Sequence, residues 1–236
     1  MAQVADGVTT RGRGRPPRYS RDGILDAAVA LARAEPATPL TIKRVSEAIG
    51  SAPMALYRYF PDRDDLLHAV ADRIMTGMRI DAPRGATWQD QLRSWMRQSH
   101  EGLTPYPQLL PYMAGTREPA WLPSFAILGR MLRPLSLGDE DLALVVALVG
   151  STVVGYALLE ARRRSLDDAL PGLRAGLARM SADEREHIAP VLEALPTAYE
   201  RLYDVVVERT IDAVAALASP PARPGPAPML FSDPGA

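Results

Sequence analysis

Apolar residues recur at helical spacing through most of the central part of the chain. Ile24, Ala28 and Leu31 share one face of a segment that begins after Ser20 and meets Pro36 and Pro39. This predicts a first helix over about 21–35, capped by the Ser20 hydroxyl and ended by the prolines. Ile42, Val45 and Ile49 repeat the pattern after Thr41, which offers a second N-cap. Gly50 then breaks the helix, as a left-handed terminal residue does. Pro53 restarts a helix in its first turn, through about residue 60. Pro61 and Asp62 stop it, and Asp62 caps a fourth helix over about 63–79, with Leu66, Val70 and Ile74 facing inward.

Beyond Pro83 the periodicity loosens. Helices are expected at 87–103, 106–114, 119–133, 139–164 and 197–218, with a shorter one near 183–195. Proline or glycine separates most of them. No alternating pattern bounded by hairpin turns occurs, so the fold class is all-α: a three-helix N-terminal head and a larger helical C-terminal part. Residues 142–159 carry no charge over 18 positions, the lower limit of a membrane span. As the sole such run, it reads instead as a helix buried on most sides, and no membrane partner is expected.

Composition narrows the function. The chain of 236 residues has no cysteine, which excludes disulfides and thiolate metal sites. His68, His100 and His187 are too scattered for a zinc site. There is no Gly-rich phosphate loop, G-x-S-x-G or H-E-x-x-H, so neither catalytic residues nor cofactors are expected. Asp62, Asp64 and Asp65, like Asp139, Glu140 and Asp141, sit at helix starts, where carboxylates complement the helix dipole. The first twenty residues lack an apolar core, so a cytoplasmic location is expected.

Net charge is −1, yet residues 11–21 hold five Arg and no acid. The expected organisation is a disordered Arg-rich arm at 1–19, a helical unit at 20–75, a larger helical unit at 76–218, and a Pro-rich disordered tail at 219–236. Within the arm, Arg13-Gly14-Arg15-Pro16 resembles an AT-hook core. Gly permits close approach to the minor-groove floor, where Arg13 and Arg15 meet negative potential. The competing reading is a generic solvated basic tail; either strengthens salt-dependent DNA binding.

Residues 40–70 are the most informative. Two short helices across a Gly-containing turn make a helix-turn-helix, whose second helix enters a major groove while flanking hydroxyls and cations grip phosphates. The order Thr41, Gly50, Leu56-Tyr57-x-Tyr59-Phe60 and Asp62-Arg63-x-x-Leu66-Leu67 resembles the N-terminal signature of the TetR family of transcriptional regulators. The resemblance covers about residues 20–75; beyond them it rests on helix layout. It implies that Thr41 caps the second helix and meets a phosphate. Lys43 sits where the family touches a base edge or a phosphate. Tyr57, Tyr59 and Arg63 match phosphate-contacting positions, and Ala52, Pro53 and Met54 open the recognition helix. One departure matters: where Val-Ser commonly follows the turn glycine, this chain has Ser51-Ala52, so the cap is expected from Ser51. Ala52, Pro53 and Met54 also lack side-chain donors, so polar base contacts are expected from Lys43, Arg44 or Arg58.

The resemblance further implies a homodimer through helices near 142–163 and 197–218, the latter showing Leu202, Val205, Val206, Ala213 and Leu217. It implies a small-molecule pocket among the middle helices. Residues 88–131 concentrate the aromatics and Met, so an apolar or amphipathic effector is expected to meet Trp88, Trp95, Met96, Tyr112, Met113, Trp121 and Phe125. His100, Arg117 and Tyr156 would be polar anchors. Two alternatives stand beside this ligand-released repressor: an architectural DNA binder without effector, and a ligand-binding protein that regulates nothing.

Overall fold

The computed structural model describes residues 20–78, 80–115, 119–163 and 166–218; Arg13, Arg15, Arg117 and both predicted tails lie outside them. No strand occurs among the described residues, in keeping with the all-α expectation.

Capping chemistry sets the first elements. The Ser20 hydroxyl accepts from the Gly23 amide at 3.0 Å and opens α1 (Arg21–Ala34). Thr41 Oγ1 accepts from the Arg44 amide at 3.2 Å and opens α2 (Ile42–Ala48). Gly50 follows with φ +65°, a left-handed conformation that costs a glycine no Cβ clash. The next helix, α3 (Pro53–Leu56), is a single turn, shorter than the 53–60 expected. The expected Ser51 cap does not form: Ala52 occupies the cap position without a side-chain bond, and Ser51 Oγ donates to the Ala52 carbonyl instead. Asp62 Oδ1 then accepts from the Asp65 amide at 2.8 Å to open α4 (Arg63–Gly77).

These four helices close over Ile24, Leu25, Leu40, Val45, Leu56, Phe60, Leu66 and Val70, all buried. Arg73 of α4 ties back to Asp26 of α1 at 2.7 Å. α4 packs in turn on the second group of helices, against α6 (Leu110–Ala114) and the 3-10 turn Pro119–Trp121.

The remaining helices are α5 (Trp88–Leu103), α7 (Leu122–Leu132), α8 (Asp139–Arg162), α9 (Leu166–Leu177) and α10 (Ala182–Ala218). α5, α8 and α10 pack on one another around Leu92, Trp95, Met96, Val149, Val153, Val207, Ile211 and Val214. Arg93 bridges α5 to α10 through Glu208, at 2.6 and 2.8 Å. That hydrogen bond pulls the Glu208 carboxyl below its usual range.

Four expectations need correction. The 106–114 helix begins only at Leu110. α9 was not anticipated, because Pro171 and two glycines lower its propensity; packing on α10 and the Arg174–Glu193 pair at 3.1 Å support it. The helices at 183–195 and 197–218 are one helix of 37 residues that runs through Pro190 and Pro196. Nor is α8 buried on most sides: only 33% of its most apolar stretch is buried, although its length and composition would let it cross a membrane. Leu144, Ala147, Ser151 and Leu159 face outward along one helical stripe.

Candidate functional site

The helix-turn-helix exposes one coherent face. Ala52, Pro53, Met54, Tyr57 and Arg58 are exposed around α3, with Met54 at 74%. Tyr59 is half-buried against the core, and the buried Leu56 and Phe60 anchor the turn from behind. Lys43 projects from α2 with its side chain 77% exposed and a loose 3.8 Å contact to Glu47. Thr41 is half-buried at the start of α2. The free amides of a helix N-terminus favour an anion there.

Two cations are spent differently from the expectation. Arg44 does not project outward. Its Nη1 donates to the carbonyls of Thr38 at 3.0 Å and Pro39 at 2.7 Å, and Nη2 pairs with Glu35. A guanidinium so engaged must give up three acceptors to reach a base edge, so Lys43 and Arg58 are the better candidates. Arg63 is exposed, but its Nε donates to the Leu40 carbonyl at 3.0 Å and its guanidinium also meets the Tyr112 hydroxyl, so only part of its fork is left for a phosphate. Replacing Thr41 by alanine should cost about 1 kcal/mol through the lost cap, lowering Tm by about 2–4 °C, while serine retains it. Equal melting of both variants and the parent would refute the cap's contribution.

Nine of the ten residues expected around a ligand are described, and they fall into four groups. Trp95, Met96, Met113 and Tyr156 are buried in the core, and Trp88 packs on its edge. Trp121 and Phe125 border an open, mainly apolar groove of about 360 Å³ between α7 and α8, with Val146, Gly150, Ser151, Val154 and Leu158 on its other wall. Tyr112 instead lies at the α4–α6 seam. Its hydroxyl donates to Asp64 at 2.9 Å, and its ring meets His68 edge-on at 5.0 Å. Burial, then the bond to Asp64, raises the Tyr112 phenol above its usual range.

His100 sits in a polar knot joining three helices. Its Nε2 lies 2.7 Å from Glu160 of α8, and its ring stacks on Tyr203 of α10 at 4.1 Å. Tyr156 touches both rings, at 5.5 and 4.7 Å. The Tyr203 hydroxyl donates to the Met96 carbonyl at 2.8 Å, and burial pushes that phenol upward, with Tyr156 adding to it.

Sequence reading missed Ser99. It is 5% exposed, one turn beyond Trp95 on the same face of α5. Neither Trp95 Nε1 nor Ser99 Oγ has a hydrogen-bond partner among the described residues. A buried donor left unpaired costs about 1–3 kcal/mol, so both groups would gain from an acceptor. The i, i+4 spacing was visible in the sequence, but which face of α5 turns inward was not.

Residues 24–70 match the family model described as bacterial regulatory proteins, tetR family. The chain is 28% identical over 170 residues, 66% of its length, to the HTH-type transcriptional repressor DrrR1 of Streptomyces coeruleorubidus. The match spans 62% of that relative's length. Among solved structures it resembles ActR of Streptomyces coelicolor in complex with actinorhodin, with TM-score 0.71, 20% identity, and 87% and 99% of the two chains covered. It also resembles a possible TetR family transcriptional regulator from Streptomyces coelicolor A3(2), with TM-score 0.67, 25% identity, and 84% and 100% covered.

Proposed function

We propose that this chain is a tetR-family regulator, as the match of residues 24–70 supports, and that it is a transcriptional repressor released from DNA by a small molecule. The observation that carries the proposal is the exposed α3 face, with Met54, Tyr57 and Arg58 beside Thr41 and Lys43. Residues 20–75 read the operator and residues 76–218 sense and dimerise. The first helix turn meets thymine methyls through Ala52, Pro53 and Met54, because those side chains have no donors. Lys43 and Arg58 supply polar base contacts, and Tyr57, Tyr59 and Arg63 hold phosphates. The arm with Arg13 and Arg15 adds a minor-groove contact.

The reader works as a two-fold homodimer on a palindromic operator, since two identical heads then face successive major grooves. The outward stripe of α8 and Val205 of α10, 47% exposed, supports that interface. The effector is apolar or amphipathic. The mainly apolar groove beside Trp121 and Phe125 supports a ligand with an apolar body. The likeness to DrrR1, a transcriptional repressor, and to ActR bound to actinorhodin favours the same reading. Effector binding shifts the population of two head spacings, which requires unequal affinity for the two states. The seam formed by Tyr112 and Asp64 connects α6 to α4, the helix behind the reader.

Footprinting on DNA flanking the chain's own gene tests this, followed by Lys43→Ala and Arg58→Ala against operator variants. A protected palindrome is expected, and each substitution should relax preference at one base position by about 1–3 kcal/mol. Protection without sequence preference would favour an architectural DNA binder. No DNA binding at all would leave a ligand binder that regulates nothing.

A further inference from the structure

Gln108 lies in the turn between α5 and α6, remote in sequence from the reading helices. Its side chain nevertheless holds the backbone just ahead of α2. Oε1 accepts from the Leu40 amide at 2.7 Å, and Nε2 donates to the Thr38 carbonyl at 3.1 Å. The segment 38–40 is also held from within the head: Arg44 donates to the Thr38 and Pro39 carbonyls, and Arg63 to that of Leu40. Leu40 is itself fully buried, and the next residue, Thr41, caps α2. The segment 38–40 is therefore gripped on both sides, and a single body side chain supplies both bonds from one of them.

We propose that Gln108 is a positioning residue for DNA binding, which fixes the start of α2 to the α5–α6 turn of the body. The two bonds are complementary: an amide presents one acceptor and one donor, and the Leu40 N–H and Thr38 carbonyl require one of each. Any displacement of the α5–α6 turn is then passed to the phosphate-facing end of α2 through the backbone of 38–41. Arg63 joins this path to the Tyr112–Asp64 contact on α4, because its guanidinium meets both the Leu40 carbonyl and the Tyr112 hydroxyl. The proposal rests on the DNA-reading role argued above, but the clamp can be tested apart from it.

The experiment compares the full-length chain with Gln108→Ala and Gln108→Glu by hydrogen exchange and by binding to the footprinted duplex. Glutamate keeps the acceptor for Leu40 and loses the donor to Thr38. In the alanine variant, exchange at residues 40–48 should rise by up to about tenfold, and the duplex should bind about three- to tenfold more weakly. Exchange in α8 and α10 should not change. The glutamate variant should recover protection at Leu40, which general loss of packing would not allow. Unchanged exchange over 38–48 in the alanine variant would overturn the proposal, as would equal acceleration throughout α5, α8 and α10. If alanine prevents folding, protection at Leu40 in the glutamate variant decides, and its loss there would equally overturn the clamp. Should the parent chain bind no duplex, the DNA reading fails while the exchange comparison still decides the clamp.

Discussion

Replacing Phe60 by alanine is expected to destabilise the DNA-reading head by about 3–5 kcal/mol and to abolish operator binding under conditions where the parent binds. Phe60 is 1% exposed and is among the largest fully buried side chains. It sits directly after the single turn of α3, and its amide donates to the Leu56 carbonyl at 3.0 Å. The Arg21 guanidinium covers the ring at 5.2 Å, adding a smaller attraction of about 0.5–1 kcal/mol. The expected loss is large because α3 has four residues and cannot persist alone; isolated helices below roughly 12–15 residues are marginal. Its placement depends on Leu56 and Phe60 being inserted into the core. A loss of this size would lower Tm by roughly 6–20 °C. Circular-dichroism melting checks it, and a shift under about 3 °C would show that Phe60 does not hold the head together.

Substituting both Leu144 and Leu159 by aspartate should convert the proposed dimer to monomer and weaken operator binding by at least about 100-fold, since the second head would no longer bind as part of the same particle. Both side chains are exposed in the single chain, at 53% and 67%, so the fold itself should lose little. They lie 15 residues apart on α8 with Ala147 and Ser151 between them on the same stripe. A helix that is charge-free over 142–159 and leaves such a stripe uncovered needs an apolar partner. The matching face of α10 is the one that the sequence had singled out. Val205 and Ala213 are exposed there, and Leu202, Val206 and Leu217 are half-buried, whereas Val207, Ile211 and Val214 fill the internal core. Sedimentation velocity distinguishes the two states, with Leu122→Asp on α7, also an exposed leucine, as the control. A doubly substituted protein that stays dimeric would rule out α8 as the interface.

The head was legible in sequence because its determinants are local. Ser20, Thr41 and Asp62 each cap within three residues, and Gly50 marks the turn by its own conformational freedom. The limit showed at Ser51, where a hydroxyl at nearly the right position bonds its neighbour's carbonyl instead of capping α3. Local chemistry also misjudged the C-terminal part. Pro196 read as a break between two helices, yet α10 continues through it as it does through Pro190. A proline removes one backbone bond and strains the turn before it, which costs about 3 kcal/mol in a helix interior. A long helix packed on α5, α8 and α9 has contacts enough to offset that, and no local window contains them.

What the sequence determined by itself was the all-α class, the helix-turn-helix, and the poverty of hydrogen-bond donors at Ala52, Pro53 and Met54. These depend on spacing, capping and side-chain inventory, which are properties of residues a few positions apart. Tertiary structure alone decided how the cations and polar groups are used. Arg44 and Arg58 are the same residue type on the same module, yet one is enclosed by the carbonyls of Thr38 and Pro39 and the other faces outward. Gln108 meets Leu40 across 68 residues of chain. Such partners are chosen by packing between elements distant in sequence, where burial makes an unpaired polar group costly and so selects the arrangement that satisfies it.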